Sequence, residues 1–144
     1  MKILVDTNIL ISAILYPRSK PAEAFVYIAE NHEMVLCSQN LAELREVLNE
    51  KAPQALPDAE LLLKELPYEL IPVDSHTQRL IRDPKDQPIL NAAMHYGVDI
   101  ILTGDKDFLS LDLKRLRCMS AAQFLEIRGV LVQLLLLWIF LSQY

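Results

Sequence analysis

The reading of the fold turns on Met1–Leu15, MKILVDTNILISAIL. Ile3, Leu4 and Val5 form a short apolar run that stops on Asp6. A run with no polar alternation predicts a strand covered on both faces. From Thr7 to Leu15 the apolar residues recur at helical spacing, with Thr7 or Asn8 placed as a cap. The same arrangement returns at Asp99–Phe108, DIILTGDKDF, where an apolar run gives way to Asp105 and Asp107. Two buried strands thus each deliver carboxylate to their carboxyl ends.

Between these two stretches strands and helices alternate. SKPAEAFVYIAENH predicts a helix capped by Ser19, and MVLCS (34–38) a strand followed by a helix capped by Ser38 or Asn40. A short helix over 58–65 precedes a strand at YELIPV, and DSHTQRLIRDPKD reads as loop with a short helical turn. QPILNAAMHYG is a helix with Pro88 in its first turn and Gly97 at its end, LKRLRCMS holds a last short strand, and SAAQFLEI a helix capped by Ser120. The expected fold is a three-layer α/β/α sandwich around a central, mainly parallel sheet of four to five strands. One domain over 1–128 is expected, followed by an apolar tail over 129–144.

The 144 residues are 52% hydrophobic with only 3 glycines, a composition that excludes disorder. The net charge of -5 argues against a broad basic nucleic-acid surface. It leaves room for an enzyme whose negative charge is gathered at a metal. Cys37 and Cys118 lie far apart without a CxxC, and Asp6 interrupts the first apolar run, so a reduced, cytoplasmic chain without signal peptide is expected.

In open parallel sheets, sites form at the carboxyl ends of strands. Asp6, Asp105 and Asp107 sit there, Ser38 with Glu43 follows the second strand, and Asp86 opens the helix before DIILT. Each has an ordinary alternative as a cap or turn residue. Together they would repel one another, and Lys85 and Lys106 are the obvious local cations. A divalent cation resolves the conflict, and an all-oxygen ligand set favours Mg²⁺ or Mn²⁺. His32, His76 and His95 are scattered, which argues against zinc. Glu46 lies three residues beyond Glu43, so spacing leaves the choice between them open. Two rivals fit poorly. A phosphatase of haloacid dehalogenase type needs a second acid where Asn8 stands, and a receiver domain needs acids and a lysine that the strand ends do not supply.

The set VDTNIL, SQNLAEL, DPKDQPILNAA and ILTGDKDFL resembles the PIN domain family, in particular its small stand-alone toxins of VapC type, over residues 1–127. The resemblance implies a metal-dependent endoribonuclease that leaves a 5′-phosphate and a 3′-hydroxyl. It assigns Asp6, Glu43, Asp86 and Asp105 as metal-binding catalytic residues, choosing Glu43 over Glu46. Asp107 is an additional metal position, and Asn8, Ser38 and Thr103 are supporting polar residues. It implies an RNA substrate and a small antitoxin protein that blocks the site; a homodimer is expected as well. Arg18, Lys20, Arg45, Arg82, Lys106, Lys114 and Arg115 are candidates for phosphate contact. A catalytically silent PIN-fold binding module is the alternative. Gln87 departs from the pattern, standing where relatives often carry a second acid, which implies weaker binding of a second metal. The tail is the other departure. Its run Val130–Leu141 is broken only by Gln133. It is too short for a stable membrane span, which takes about 20 apolar residues; a segment packed on the sheet or in a homodimer, a membrane-surface anchor without a flanking basic face, and a foreign end are the three readings, and sequence leaves the choice open.

Overall fold

A computed structural model describes residues 1–73 and 81–143 of the chain. Five strands, β1 (Lys2–Val5), β2 (Glu33–Cys37), β3 (Glu69–Ile71), β4 (Ile100–Leu102) and β5 (Arg117–Met119), form one sheet in the order β3-β2-β1-β4-β5. Every pairing is parallel, with Leu4 opposite Val35 on one side and Ile101 on the other. Among the described residues seven α-helices flank it: α1 (Thr7–Leu15), α2 (Lys20–Asn31), α3 (Ser38–Lys51), α4 (Leu56–Glu65), α5 (Gln87–His95), α6 (Lys106–Leu109) and α7 (Ala121–Ser142).

The strands are apolar throughout because both faces are buried. Ile3, Val5, Met34, Leu36, Ile100 and Leu102 enter the core beneath α1, α2, α3 and α7. Leu4, Val35, Cys37 and Ile101 point the other way, into the core under α5. The three-layer sandwich expected from the sequence is the one observed.

Several helix boundaries differ from expectation. Asp6 itself caps α1, accepting from the Thr7 N–H, so Thr7 belongs to the helix. Helix α3 begins directly at Ser38, with Cys37 at the cap position and no side-chain cap. Of the stretch read as loop with a helical turn, residues 74–80 lie outside the described residues, and 81–86 are bends and turns. Gly97, at φ 70°, follows the end of α5 in the left-handed region that favours glycine.

The largest difference is at the C-terminus. Ser120 caps α7 through a reciprocal capping box with Gln123, as expected, but the helix continues through Gly129 to Ser142. The change in composition at 129 is therefore no break in structure. Nor does the tail pack on the sheet: Val130, Val132 and Leu134–Leu141 are all exposed. By length and composition alone, Ala121–Ser142 is sufficient to cross a membrane.

Candidate metal centre

Strand β1 is central, with β2 and β4 on either side, so Asp6 emerges at the point where the chain's connections diverge. Its backbone N–H donates to the Leu102 carbonyl at 2.9 Å, which fixes it beside the end of β4. Asp6 is buried, and its two oxygens are used differently. Oδ1 accepts from the Thr7 N–H at 2.9 Å and from Asn40 Nδ2 at 3.1 Å, while Oδ2 accepts from the Thr103 hydroxyl at 2.7 Å. Burial raises its pKa above the ordinary carboxylate value. The hydrogen bonds from Thr103 and Thr7 oppose that rise, and the charges of Glu43 and Asp105 add to it.

Glu43 lies one turn into α3 and faces Asp6. Thr7 Oγ1 donates to its Oε2 at 2.9 Å and Gln39 Nε2 to its Oε1 at 3.1 Å. Glu46, its rival by spacing, is exposed beside Arg45, Leu56 and Glu60. Asp105 caps α6, accepting from the Asp107 N–H at 2.8 Å, and its own N–H donates to Thr103 Oγ1 at 3.0 Å. Thr103 thus holds two acidic positions at once.

Asp86 occupies the cap position of α5, yet its side chain caps nothing. Its Oδ2 is buried and has no hydrogen-bond partner among the described residues. Its pKa is pushed up to about 7, by burial first and then by Asp105, Asp83, Asp6 and Glu43. Those four charges act on one carboxylate, so the acids share a single field. Ligand oxygens of Asp83, Asp86 and Asp107 also lie within 4.8 Å of one another. Arg82 Nε pairs with Asp107 Oδ1 at 3.3 Å.

The supporting residues divide. Thr103 contacts Asp6 directly. Asn8 makes no hydrogen bond to a carboxylate among the described residues; its Oδ1 accepts from the Gly104 N–H at 3.1 Å and ties α1 to the turn after β4. Ser38 makes no hydrogen bond to a carboxylate among the described residues; it acts instead on the neighbouring Cys37 thiol, whose pKa burial raises and Ser38 partly lowers. Spacing missed Thr7, Gln39, Asn40 and Asp83. Thr7 and Asn40 carried a signal, since both were candidate caps, but their burial against the acids is a tertiary fact. Gln87, which replaces an acid of the resemblance, is buried: Oε1 accepts from the Ile81 N–H and Nε2 donates to Asn91 Oδ1 at 2.7 Å.

The residues fit a divalent cation. A buried carboxylate oxygen without a donor, in a field set by four further acids, lacks a positive charge. The oxygen-only donors suit a hard ion.

The sequence model of the PIN domain matches residues 2–107. No curated protein sequence matches the chain. Among solved structures, a chain in the crystal structure of VapBC2 from Rickettsia felis bound to a DNA fragment from their promoter is similar at 19% identity and TM-score 0.63, over 83% of this chain and 98% of that one. That likeness is one of fold, and with the sequence match over most of its length the chain belongs to the PIN domain family.

Proposed function

We propose that the chain is a metal-dependent endoribonuclease and the toxin of a toxin–antitoxin pair, acting in the cytoplasm on RNA with Mg²⁺ or Mn²⁺. The observation that carries this reading is the unpartnered Oδ2 of Asp86 within the field of Asp6, Glu43 and Asp105. The family supplies the rest, and the similar fold in VapBC2, a complex bound to promoter DNA, supports an antitoxin partner.

Asp6, Glu43, Asp86 and Asp105 would hold the cation, with Asp107 at its margin. Bound there, the ion supplies an activated water and neutralises charge building on the phosphodiester. The protein's own part is positional. Asp6 presents oxygens already oriented by Thr103, Thr7 and Asn40, so no carboxylate rotamer has to be frozen when substrate arrives. Glu43 is fixed at both oxygens by Thr7 and Gln39. Arg82, paired with Asp107 at the edge of the site, would meet a backbone phosphate. Cleavage by water would release a 5′-phosphate and a 3′-hydroxyl. Association of two copies belongs to the same reading.

The test is calorimetric titration of Mn²⁺ into wild type and Asp6→Asn, with cleavage of a mixed RNA pool on the same samples. Loss of both binding and cleavage in the variant supports the reading. Undiminished cleavage by Asp6→Asn overturns it.

A further inference from the structure

The acids lie at the carboxyl ends of the strands. The amino ends hold a cavity of about 320 Å³ between α2, α7 and the turn that leads into β5. Asp99, on its wall, directly precedes β4, whereas Thr103 and Asp105 follow that strand. The volume falls at the lower end of the range for small-ligand sites, about 300–1,000 Å³.

The charge of this cavity is the reverse of the chain's. The chain has 14 lysines and arginines against 19 acids, yet Lys114, Arg115, Arg117 and Arg128 line the cavity against Asp99 alone among the described residues. Arg128 is already engaged, pairing with Glu23 at 2.9 Å and lying 5.3 Å over the Tyr27 ring. Lys114, Arg115 and Arg117 make no side-chain hydrogen bond or ion pair among the described residues. Asp99 does not pair with them; its Oδ2 accepts from the Lys2 N–H at 2.8 Å. The three cations are gathered by the backbone. The Arg117 N–H donates to the Asp99 carbonyl at 3.0 Å, and buried Leu116 anchors the turn between Arg115 and Arg117. Held side by side without a counter-charge, they repel one another.

The rest of the lining is apolar and aromatic. Ile100, Met119 and Phe124 contribute buried side chains, and the half-buried Tyr27 ring meets Phe124 edge to face at 6.0 Å between centroids. An inorganic anion would balance the cations and leave this lining in water; a hydrocarbon would do the reverse. A ligand that satisfies both carries an anionic group on a flat apolar body. Three unpaired cations beside one acid suit a phosphate monoester, which carries about −1.5 to −2 charges at pH 7. The guanidinium forks of Arg115 and Arg117 match its oxygens in pairs.

We propose that this cavity binds a small phosphate monoester with a flat aromatic body, the chemistry of a nucleoside monophosphate. Lys114, Arg115 and Arg117 hold the phosphate, and the body lies against the aromatic and apolar lining. The cavity is separate from the acidic site, and the proposal stands whether or not that site cleaves RNA.

The experiment is equilibrium dialysis of the full chain against AMP, CMP, GMP and UMP, with adenosine and inorganic phosphate alongside. EDTA is present throughout, so that no cation bridges a phosphate to the acids. At least one nucleotide is expected to saturate a single site per chain. Inorganic phosphate and adenosine should bind at least about tenfold more weakly, since each makes only one half of the contacts. Arg115→Ala and Arg117→Ala should each weaken nucleotide binding about tenfold or more. Both side chains are exposed, so the circular dichroism spectrum should not change. The absence of saturable nucleotide binding overturns the proposal, as does binding that both variants leave unchanged. Inorganic phosphate that binds as tightly as the nucleotides reduces the wall to a basic patch and overturns it too. So does a chain that retains a single-stranded RNA oligonucleotide or phosphatidylglycerol vesicles but no mononucleotide.

Discussion

Thr7 Oγ1 donates to Glu43 Oε2 at 2.9 Å, joining the first residue of α1 to a side chain one turn into α3. The same oxygen accepts from Asn40 Nδ2 at 3.0 Å, and Asn40 Nδ2 also reaches Asp6 Oδ1. One buried hydroxyl therefore sets the separation of two carboxylates that carry the same charge. Thr7→Val keeps the shape and removes the hydroxyl. It should cost about 1–3 kcal/mol of stability, read by urea unfolding, because Asn40 loses an acceptor in a buried site. Mn²⁺ affinity should fall roughly tenfold, since Glu43 is left free to turn away. Thr7→Ser should restore both. A valine variant with unaltered Mn²⁺ affinity would show that Thr7 is a packing residue alone.

Asp86 makes the metal-free fold sensitive to pH. Its folded pKa is about 7 against an ordinary 3.8, so between those values the unfolded chain has released a proton that the folded chain retains. Stability from this group therefore falls as pH rises from about 4 to about 7, then levels. Asp86→Asn removes the charge and its repulsion. Its Tm should exceed that of wild type by about 2–4 °C at pH 8, corresponding to roughly 1 kcal/mol once solvent screening of a partly exposed group is allowed for. The difference should shrink towards pH 4.5. Thermal scans in EDTA at the two pH values measure it, and a gap that does not change with pH would contradict the shared field.

These side chains show which parts of the molecule were legible in its sequence. The strands were, because a parallel sheet buried on both faces needs uninterrupted apolar runs such as Ile3–Val5 and Ile100–Leu102. The positions of Asp6 and Asp105 were also legible, since each directly ends such a run. The residues that aim them were not. Asn40 and Thr7 are polar residues at helix starts, and sequence alone reads such residues as caps. Only the pairing of β1 with β2 brings Asn40 to Asp6. Ser38 shows the converse: a plausible polar neighbour of the acids that makes no hydrogen bond to any of them among the described residues. The extent of α7 was hidden by the abrupt change of composition at Gly129, which helical backbone geometry does not register.

Gln39 links the two halves of the site. Its Nε2 donates to Glu43 Oε1 and also to the Lys85 carbonyl, both at 3.1 Å. The second bond ties α3 to the turn that carries Asp83 and Asp86. Gln39→Ala should lower stability by about 0.5–3 kcal/mol in urea unfolding, the range from a neutral hydrogen bond to one made to a charged carboxylate. Amide exchange in residues 81–86 should quicken, since the turn loses its tether to α3. Exchange followed by mass spectrometry checks this, and protection unaltered in 81–86 would assign the turn's order to α5 packing instead.

Gln87 invites the opposite substitution, the acid that the family resemblance leads one to expect there. The geometry argues that it would not create a stronger metal site. The Gln87 side chain is buried, and its two ends hold the Ile81 N–H and Asn91 Oδ1. An aspartate is one methylene shorter and cannot donate to Asn91. When ionised it would stand one residue from Asp86, where four acids already raise the pKa. Gln87→Asp should therefore lose about 2–4 kcal/mol of stability at pH 7.5, from the lost hydrogen bonds and the added buried charge. Gln87→Glu keeps the length but replaces the donor to Asn91 with an acceptor, and should fall between the two. Calorimetry with Mn²⁺ should give one binding event of unchanged stoichiometry in all three proteins. A second equivalent bound by Gln87→Asp, without loss of stability, would mean that residue 87 turns outward to the acids and that the fold had no need of the amide.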